Sequence, residues 1–298
     1  MEHLRQVAFG AVKASEVLEG SIATLKASRA IDHWQRGRER IEAEDLLQHA
    51  LGVGDLRPDL EVPAGARRRY ERLIARRAAG EPVQLIKGYA VFRGLEILAS
   101  PGVFVPRDST EYLAEQAVRR LIRRRRPIAV DLATGGGTVA LAIANEVDGV
   151  RVHGTDISAA AIRTARRNAE RLRLRATFHV GDVYGGLPRD LAGNVDVVTL
   201  HPPYVARGEV RELPREIRRF EPVHTLTDKS PDGLGLIGRS TAGAPDWLKA
   251  GGWLLIEVSP DRARATATVM RRAGFADVRS TVDRGFKVTR VLVGRWPG

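Results

Sequence analysis

From about residue 108 to the end of the chain, short apolar runs alternate with helical stretches, and no other feature restricts the fold as much. The candidate strands are "IAVDLA" (128–133), "RVHGTDI" (151–157), "TFHV" (177–180), "VDVVTL" (195–200), "GWLLIEV" (252–258), "ADVRST" (276–281) and "KVTRVLVGR" (287–295). Runs that are apolar almost throughout, separated by helices, predict a mainly parallel sheet covered on both faces. The last two runs are joined only by "VDRG", so one of that pair is expected to run antiparallel. The fold class expected is α/β, a Rossmann-like seven-stranded sheet.

The first 80 residues read differently. "IEAEDLLQHALGVG" places Ile41, Leu46, Leu47 and Ala50 at helical spacing before a glycine, and "AGARRRYERLIARRAAGEP" is a second helix stopped by Gly80 and Pro82. Between them and the sheet lies "VQLIKGYAVFRGLEILASPGVFVP", whose β-branched residues and spaced glycines predict a hairpin or two short strands. The expected organisation is a small helical domain (1–80), a β-hairpin connector (81–107) and a cofactor-binding domain (108–298).

Cysteine is absent, which removes disulfides, thiolate metal sites and a cysteine nucleophile and fits a reducing compartment. With no clustered histidine either, no metal site is expected. The first residues contain no uninterrupted apolar stretch and no run reaches the length of a membrane span, so a cytoplasmic protein without membrane attachment is expected. The formal net charge of +12 suits a nucleic acid or an acidic partner. The densest cluster, "RRLIRRRR" (119–126), falls at the end of a helix, where cations meet the carbonyl end of the dipole.

The first strand runs into "DLATGGGTVALAIA" (131–144). Glycines 135 to 137 let the backbone turn sharply before a helix begins at Thr138. Asp156 ends the second strand, 25 residues beyond Asp131 and within reach of ribose hydroxyls. Asp182, in "GDVY" after the third strand, is placed to accept from an adenine amino group. Asp131 before the glycines would repel a pyrophosphate, and no G-x-x-x-x-G-K-[ST] loop is present. A ligand with adenosine and an amino-acid tail fits better, and S-adenosylmethionine is such a ligand. Asp131, Ala133, Thr134, Gly135, Gly137, Asp156, Ile157, Asp182 and Val183 are the expected cofactor residues.

With "HPPY" (201–204) after the fourth strand, the chain resembles the class I S-adenosylmethionine-dependent methyltransferases. More narrowly, it resembles the protein-(glutamine-N5) methyltransferase family, HemK or PrmC, that modifies peptide-chain release factors. The resemblance rests on "EAEDLLQHALG", "RRAAGEPVQLIKG", "VFRGLEILASPGVFVPRDSTE", the glycine loop, "HPPY" and "RFEPVHTLTDKSPDGLGLI", and covers roughly 35 to 298. It implies a protein substrate and a clamp at His201, Pro202, Pro203 and Tyr204, with His201 also near the cofactor and Phe92 and Pro106 completing the pocket. In that family the clamp reads Asn-Pro-Pro-Tyr, its two acceptors being the asparagine carboxamide oxygen and the backbone carbonyl after it. Neutral imidazole accepts through one nitrogen only if the other donates elsewhere, and imidazolium accepts nothing.

This chain departs from the family at His201 and also at Ala133, which stands for the first loop glycine and is expected to be tolerated because alanine adds only a methyl. "RDST" (107–110) stands where the family usually has Arg-Pro-Glu-Thr or Arg-Pro-Asp-Thr. The second reading keeps the fold and places the methyl on an exocyclic amine of RNA or DNA, since Pro-Pro-Tyr clamps also serve such bases. A third is a non-catalytic cofactor-binding protein. His153 and His179 read as ordinary strand residues.

Overall fold

The computed structural model describes residues 12–31, 37–283, 285 and 287–298, which form two compact units. The stretch without a leader-like run therefore lies partly outside the described residues, as does Arg284 of the "VDRG" turn. Among the described residues no helix is long and apolar enough to cross a membrane.

The helical unit comprises the described residues up to Lys87 together with 214–220. A two-residue strand β1 (Val12–Lys13) pairs antiparallel with β2 (Glu61–Val62), and between and after them run α1 (Ala14–Ala27), α2 (Glu39–Leu51), α3 (Ala64–Ala78) and the short α4 (Val83–Lys87). Gly52 ends α2 in the left-handed conformation, as its position after the periodic residues predicts. Leu46, Leu47 and Ala50 are buried in this unit's core, whereas Ile41 is 62% exposed and takes no part in it. Val83–Lys87 corrects the reading of that stretch as strand: the Ile86 N–H donates to the Pro82 carbonyl, and the proline opens a helical turn. At the centre Arg77 is wholly buried and paired with Glu42 at 2.7 Å and Glu216 at 3.2 Å.

The second unit, residues 88–213 and 221–298, holds the sheet. In chain order it runs β3 (Tyr89–Phe92), β4 (Leu95–Leu98), α5 (Glu111–Leu121), β5 (Ile128–Leu132), α6 (Thr138–Glu146), β6 (Arg151–Asp156), α7 (Ala159–Leu172), β7 (Ala176–Val180) and β8 (Val195–Leu200). After α8 (Arg215–Phe220), which belongs to the helical unit, come α9 (Gly235–Gly243), β9 (Leu248–Glu257), α10 (Ala263–Arg272), β10 (Ala276–Asp283) and β11 (Val288–Arg295).

The seven strands lie in the order β10-β11-β9-β8-β5-β6-β7. All neighbouring pairs are parallel except those of β11, which runs antiparallel to both β9 and β10. Consecutive residues alternate between two cores. Ala129, Val197, Leu255 and Val291 face the cluster built with α5, α6 and α7, while Val130, Val198, Leu254 and Leu292 face the one built with α9 and α10. This alternation explains why the strands read as unbroken apolar runs.

Strand order reverses at β5, whose neighbours are β6 on one side and β8 on the other. A crevice at such a switch point, outside the carboxyl ends of parallel strands, is where open α/β sheets bind ligands. The β3–β4 hairpin groups with the sheet unit, and Phe92 and Ile97 are buried in the same core as α5, α6 and α7. Helix α5 ends at Leu121, so the basic run continues past it, and much of its charge is used internally. Arg119 pairs with Glu115, the Arg120 guanidinium lies 4.6 Å from the Trp253 ring centroid, and Arg124 reaches Asp196 at 3.0 Å.

Candidate active site

A cavity opens at the carboxyl ends of β5, β6 and β8 and the loop after β7, with about 1050 Å³ of empty space counted out into the solvent at its mouth. The loop after β5 turns through left-handed positions at Ala133, Gly135 and Gly137 (φ 50°, 56° and 83°). Glycine adopts such φ values without strain, but an alanine there costs about 1 kcal/mol or more. The burden of Ala133 is thus in its backbone conformation, not in the added methyl as the sequence suggests. Gly137 caps α6 behind the cavity; a Cβ there would stand 3.0 Å from Phe178 and 3.1 Å from Ala165.

Each carboxylate has a definite set of partners. Asp131 is buried, and its two oxygens accept from the hydroxyls of Thr134 (2.6 Å) and Thr199 (2.7 Å). Burial pushes its pKa up to about 6, against the pull of those hydrogen bonds. Asp131 therefore braces the loop and also lines the cavity. Asp156 accepts from the Gly135 N–H (2.9 Å) and from the Ser158 N–H (2.8 Å), which ties the end of β6 to the glycine loop. Burial raises its pKa too, opposed by those two amides. The cap of α7 is supplied by the Ser158 hydroxyl, which accepts from the Ala161 N–H. Asp182 lies on the rim with its carboxylate 3.2 Å from Arg239.

Two apolar side chains flank these acceptors. Ile157 is 70% exposed, an unusual state for isoleucine inside a cleft. Val183 is held at φ 52°, a strained conformation for a β-branched residue, and the Thr155 hydroxyl donates to its carbonyl at 2.6 Å.

His201 and Pro202 follow the last residue of β8 directly and line the cavity. The His201 ring meets Phe104 edge-on at 5.2 Å, and its Nδ1 stands 3.4 Å from Thr110 Oγ1 and 3.9 Å from Glu257 Oε2. Burial holds the imidazole below the ordinary histidine pKa; Glu257 pulls it upward, and Arg107 and Arg290 push it down. The Pro203 carbonyl accepts from the Asp228 N–H at 3.3 Å. Among the described residues no donor reaches the carbonyl of Pro202. Tyr204 pairs as an isolated bridge with Thr227, and its ring centroid is 6.1 Å from that of His201.

The lining thus brings together Pro106, Asp131, Ala133, Thr134, Gly135, Asp156, Ile157, Asp182, Val183, His201, Pro202 and Pro203 of the residues expected from sequence. Gly137 and Tyr204 support it without lining it. Phe92 is corrected: it is 1% exposed in the core, and the aromatic at the cavity is Phe104. The wall also includes Arg107, Thr110, His224, Thr225 and Leu236, which the sequence reading did not single out as site residues.

Residues 23–88 match the PrmC N-terminal domain and residues 129–220 a methyltransferase domain. The release factor glutamine methyltransferase of Burkholderia pseudomallei is 39% identical over 270 residues, spanning 87% of this chain and 93% of that protein. The chain belongs to the release factor glutamine methyltransferase family.

The Geobacter sulfurreducens member of the release factor glutamine methyltransferase family is 32% identical over 279 residues, spanning 90% of this chain and 96% of its own. A solved methyltransferase structure from Pyrococcus furiosus superposes with a TM-score of 0.50 at 19% identity, over 68% of this chain and 89% of that one, and shows the shared fold.

Proposed function

We propose that this chain transfers a methyl group from S-adenosylmethionine to the side-chain amide nitrogen of a glutamine in a protein, a peptide-chain release factor. The observation that carries the reading is the pair of acceptors after β8, the His201 imidazole and the Pro202 carbonyl, which no described donor reaches, at the edge of the cavity.

The residues present fit the cofactor. Each Asp156 oxygen takes one amide N–H and keeps a second lone pair for a ribose-type diol. Ile157 and Val183 supply apolar surface for a nucleobase, with Asp182 at its rim. Open space beside Gly135 leaves room for an amino-acid tail. When bound, S-adenosylmethionine supplies an electrophilic methyl carbon on a sulfonium sulfur.

An amide nitrogen is a weak nucleophile because its lone pair is delocalised into the carbonyl. His201 and the Pro202 carbonyl overcome part of this by accepting the two N–H bonds of the glutamine amide, which fixes the direction of the remaining lobe. Orientation of this kind lowers barriers by several kcal/mol, and by about 7–11 in the best-aligned cases. The Pro203 carbonyl already accepts from the Asp228 N–H, which leaves the Pro202 carbonyl the freer of the two. Tyr204 backs the His201 ring. A chain without cysteine acting on a release factor suits the cytoplasm.

The reading is tested by incubating the protein with methyl-labelled S-adenosylmethionine, a release factor and, separately, total RNA. Label on a glutamine side chain supports it; label confined to RNA moves the acceptor to a base amine.

A further inference from the structure

An asparagine carboxamide always carries an acceptor oxygen, whereas a histidine acquires an acceptor only through its tautomer. What decides the tautomer of His201 is the surroundings of Nδ1. Thr110 Oγ1 lies at 3.4 Å and Glu257 Oε2 at 3.9 Å, while the Phe104 ring closes another side with carbon. Glu257 is 2% exposed at the carboxyl end of β9; its Oε1 faces Arg290 Nη1 at 3.8 Å, and its Oε2 has no hydrogen-bond partner among the described residues. Buried polar atoms without partners are rare and call for an explanation.

We propose that Glu257 is a positioning residue that keeps the proton of His201 on Nδ1, so that the Nε2 lone pair is the one offered to the substrate amide. A separation of 3.9 Å is longer than a hydrogen bond. It is short enough for a carboxylate in a water-poor site to bias where a neighbouring proton resides. The Thr110 hydroxyl turns to accept the same N–H. In the opposite tautomer Thr110 would donate to Nδ1, Glu257 Oε2 would face a lone pair, and the ring would point an N–H at the N–H it must bind. The charged and titratable groups acting on the ring are Glu257, Arg107 and Arg290, with Tyr204 beside it. The inference rests on reading His201 as the amide acceptor.

The test uses protein labelled with ¹⁵N-histidine and no cofactor, with the His201 imidazole signals assigned by their loss in His201→Asn. Wild type is expected to show protonated Nδ1 and unprotonated Nε2. Glu257→Gln, which retains an acceptor oxygen, keeps that pattern, and Glu257→Leu shifts the ring toward Nε2–H. A wild-type ring protonated on Nε2 overturns the proposal whether or not Glu257→Leu folds, and so does a Glu257→Leu spectrum identical to wild type. In methyl transfer, Glu257→Leu should cost roughly tenfold more kcat/KM in the histidine enzyme than in the His201→Asn background; equal costs would overturn it. If no variant methylates an amide, the acceptor reading fails by itself, while the spectra still decide the tautomer.

Discussion

The Asn168 side chain donates to the carbonyl of Gly136 at 2.9 Å, and its Oδ1 accepts the Leu98 N–H at 2.8 Å. One wholly buried amide on α7 thus holds the floor of the cofactor loop and the end of β4 together. Replacing Asn168 with leucine leaves a buried carbonyl and a half-buried N–H without partners. Each such orphan costs about 1–3 kcal/mol, so a loss of roughly 3 kcal/mol is expected in urea unfolding, together with weaker cofactor binding.

Ala133 sits at φ 50°, where glycine carries no steric penalty. Ala133→Gly should stabilise the protein by about 1 kcal/mol, the left-handed cost of alanine less the added freedom of glycine in the unfolded chain. Differential scanning calorimetry would show this as a rise in Tm. An unchanged or lower Tm would mean that the loop relaxes the strain elsewhere.

Asp156 has a double role, since it accepts two loop amides and faces the cavity. Asp156→Ala should cost stability, and calorimetric titration with S-adenosylmethionine should give a Kd at least roughly tenfold higher, the loss of a charged hydrogen bond. Asp156→Asn keeps one acceptor oxygen and should fall between the two.

His153 and His179 are hydrogen-bonded to each other, Nδ1 to Nε2 at 3.1 Å, so one neutral ring donates and the other accepts. Burial, then the neighbouring His179 and Arg151, push the pKa of His153 down to about 4; burial and Arg166 lower that of His179. In the unfolded chain both titrate near ~6.5. The native state therefore binds fewer protons below that pH. The stability is fully present above about 6.5 and falls as pH drops toward about 4, by on the order of 2 kcal/mol once screening is allowed for. Urea midpoints measured at pH 7.5 and 5 should reveal this limb, and His153→Leu should flatten it.

The sheet was legible because each strand is buried on both faces and flanked by helices, and the glycine loop was legible because its turn demands glycine. Other features left no such mark. Val83–Lys87 carries β-branched Val83 and Ile86 yet is helical, because Pro82 opens a turn that local composition does not announce. Phe92 and Phe104 lie in the same stretch of text, and only the packing of the hairpin sends the first into the core and the second to the cavity. Asn168, Thr110 and Glu257 reach the site from α7, the turn before α5 and the end of β9, separations that no local pattern joins. Helix α8 is read naturally as part of the sheet domain, but Glu216 pairs with Arg77 and belongs to the helical unit.

The central claim is that the neutral His201 ring does the work of an amide acceptor in glutamine methylation. The most direct test compares kcat/KM for methyl transfer to release-factor glutamine between wild type and His201→Asn from pH 5 to 9. Because burial lowers the histidine pKa, wild type should hold its activity down to pH values below the ordinary histidine range near ~6.5 and then fall, as protonation removes the lone pair. His201→Asn should be active at least as strongly and should lack that acid limb. Superimposable profiles, or a wild type inactive on glutamine at every pH, would contradict the account.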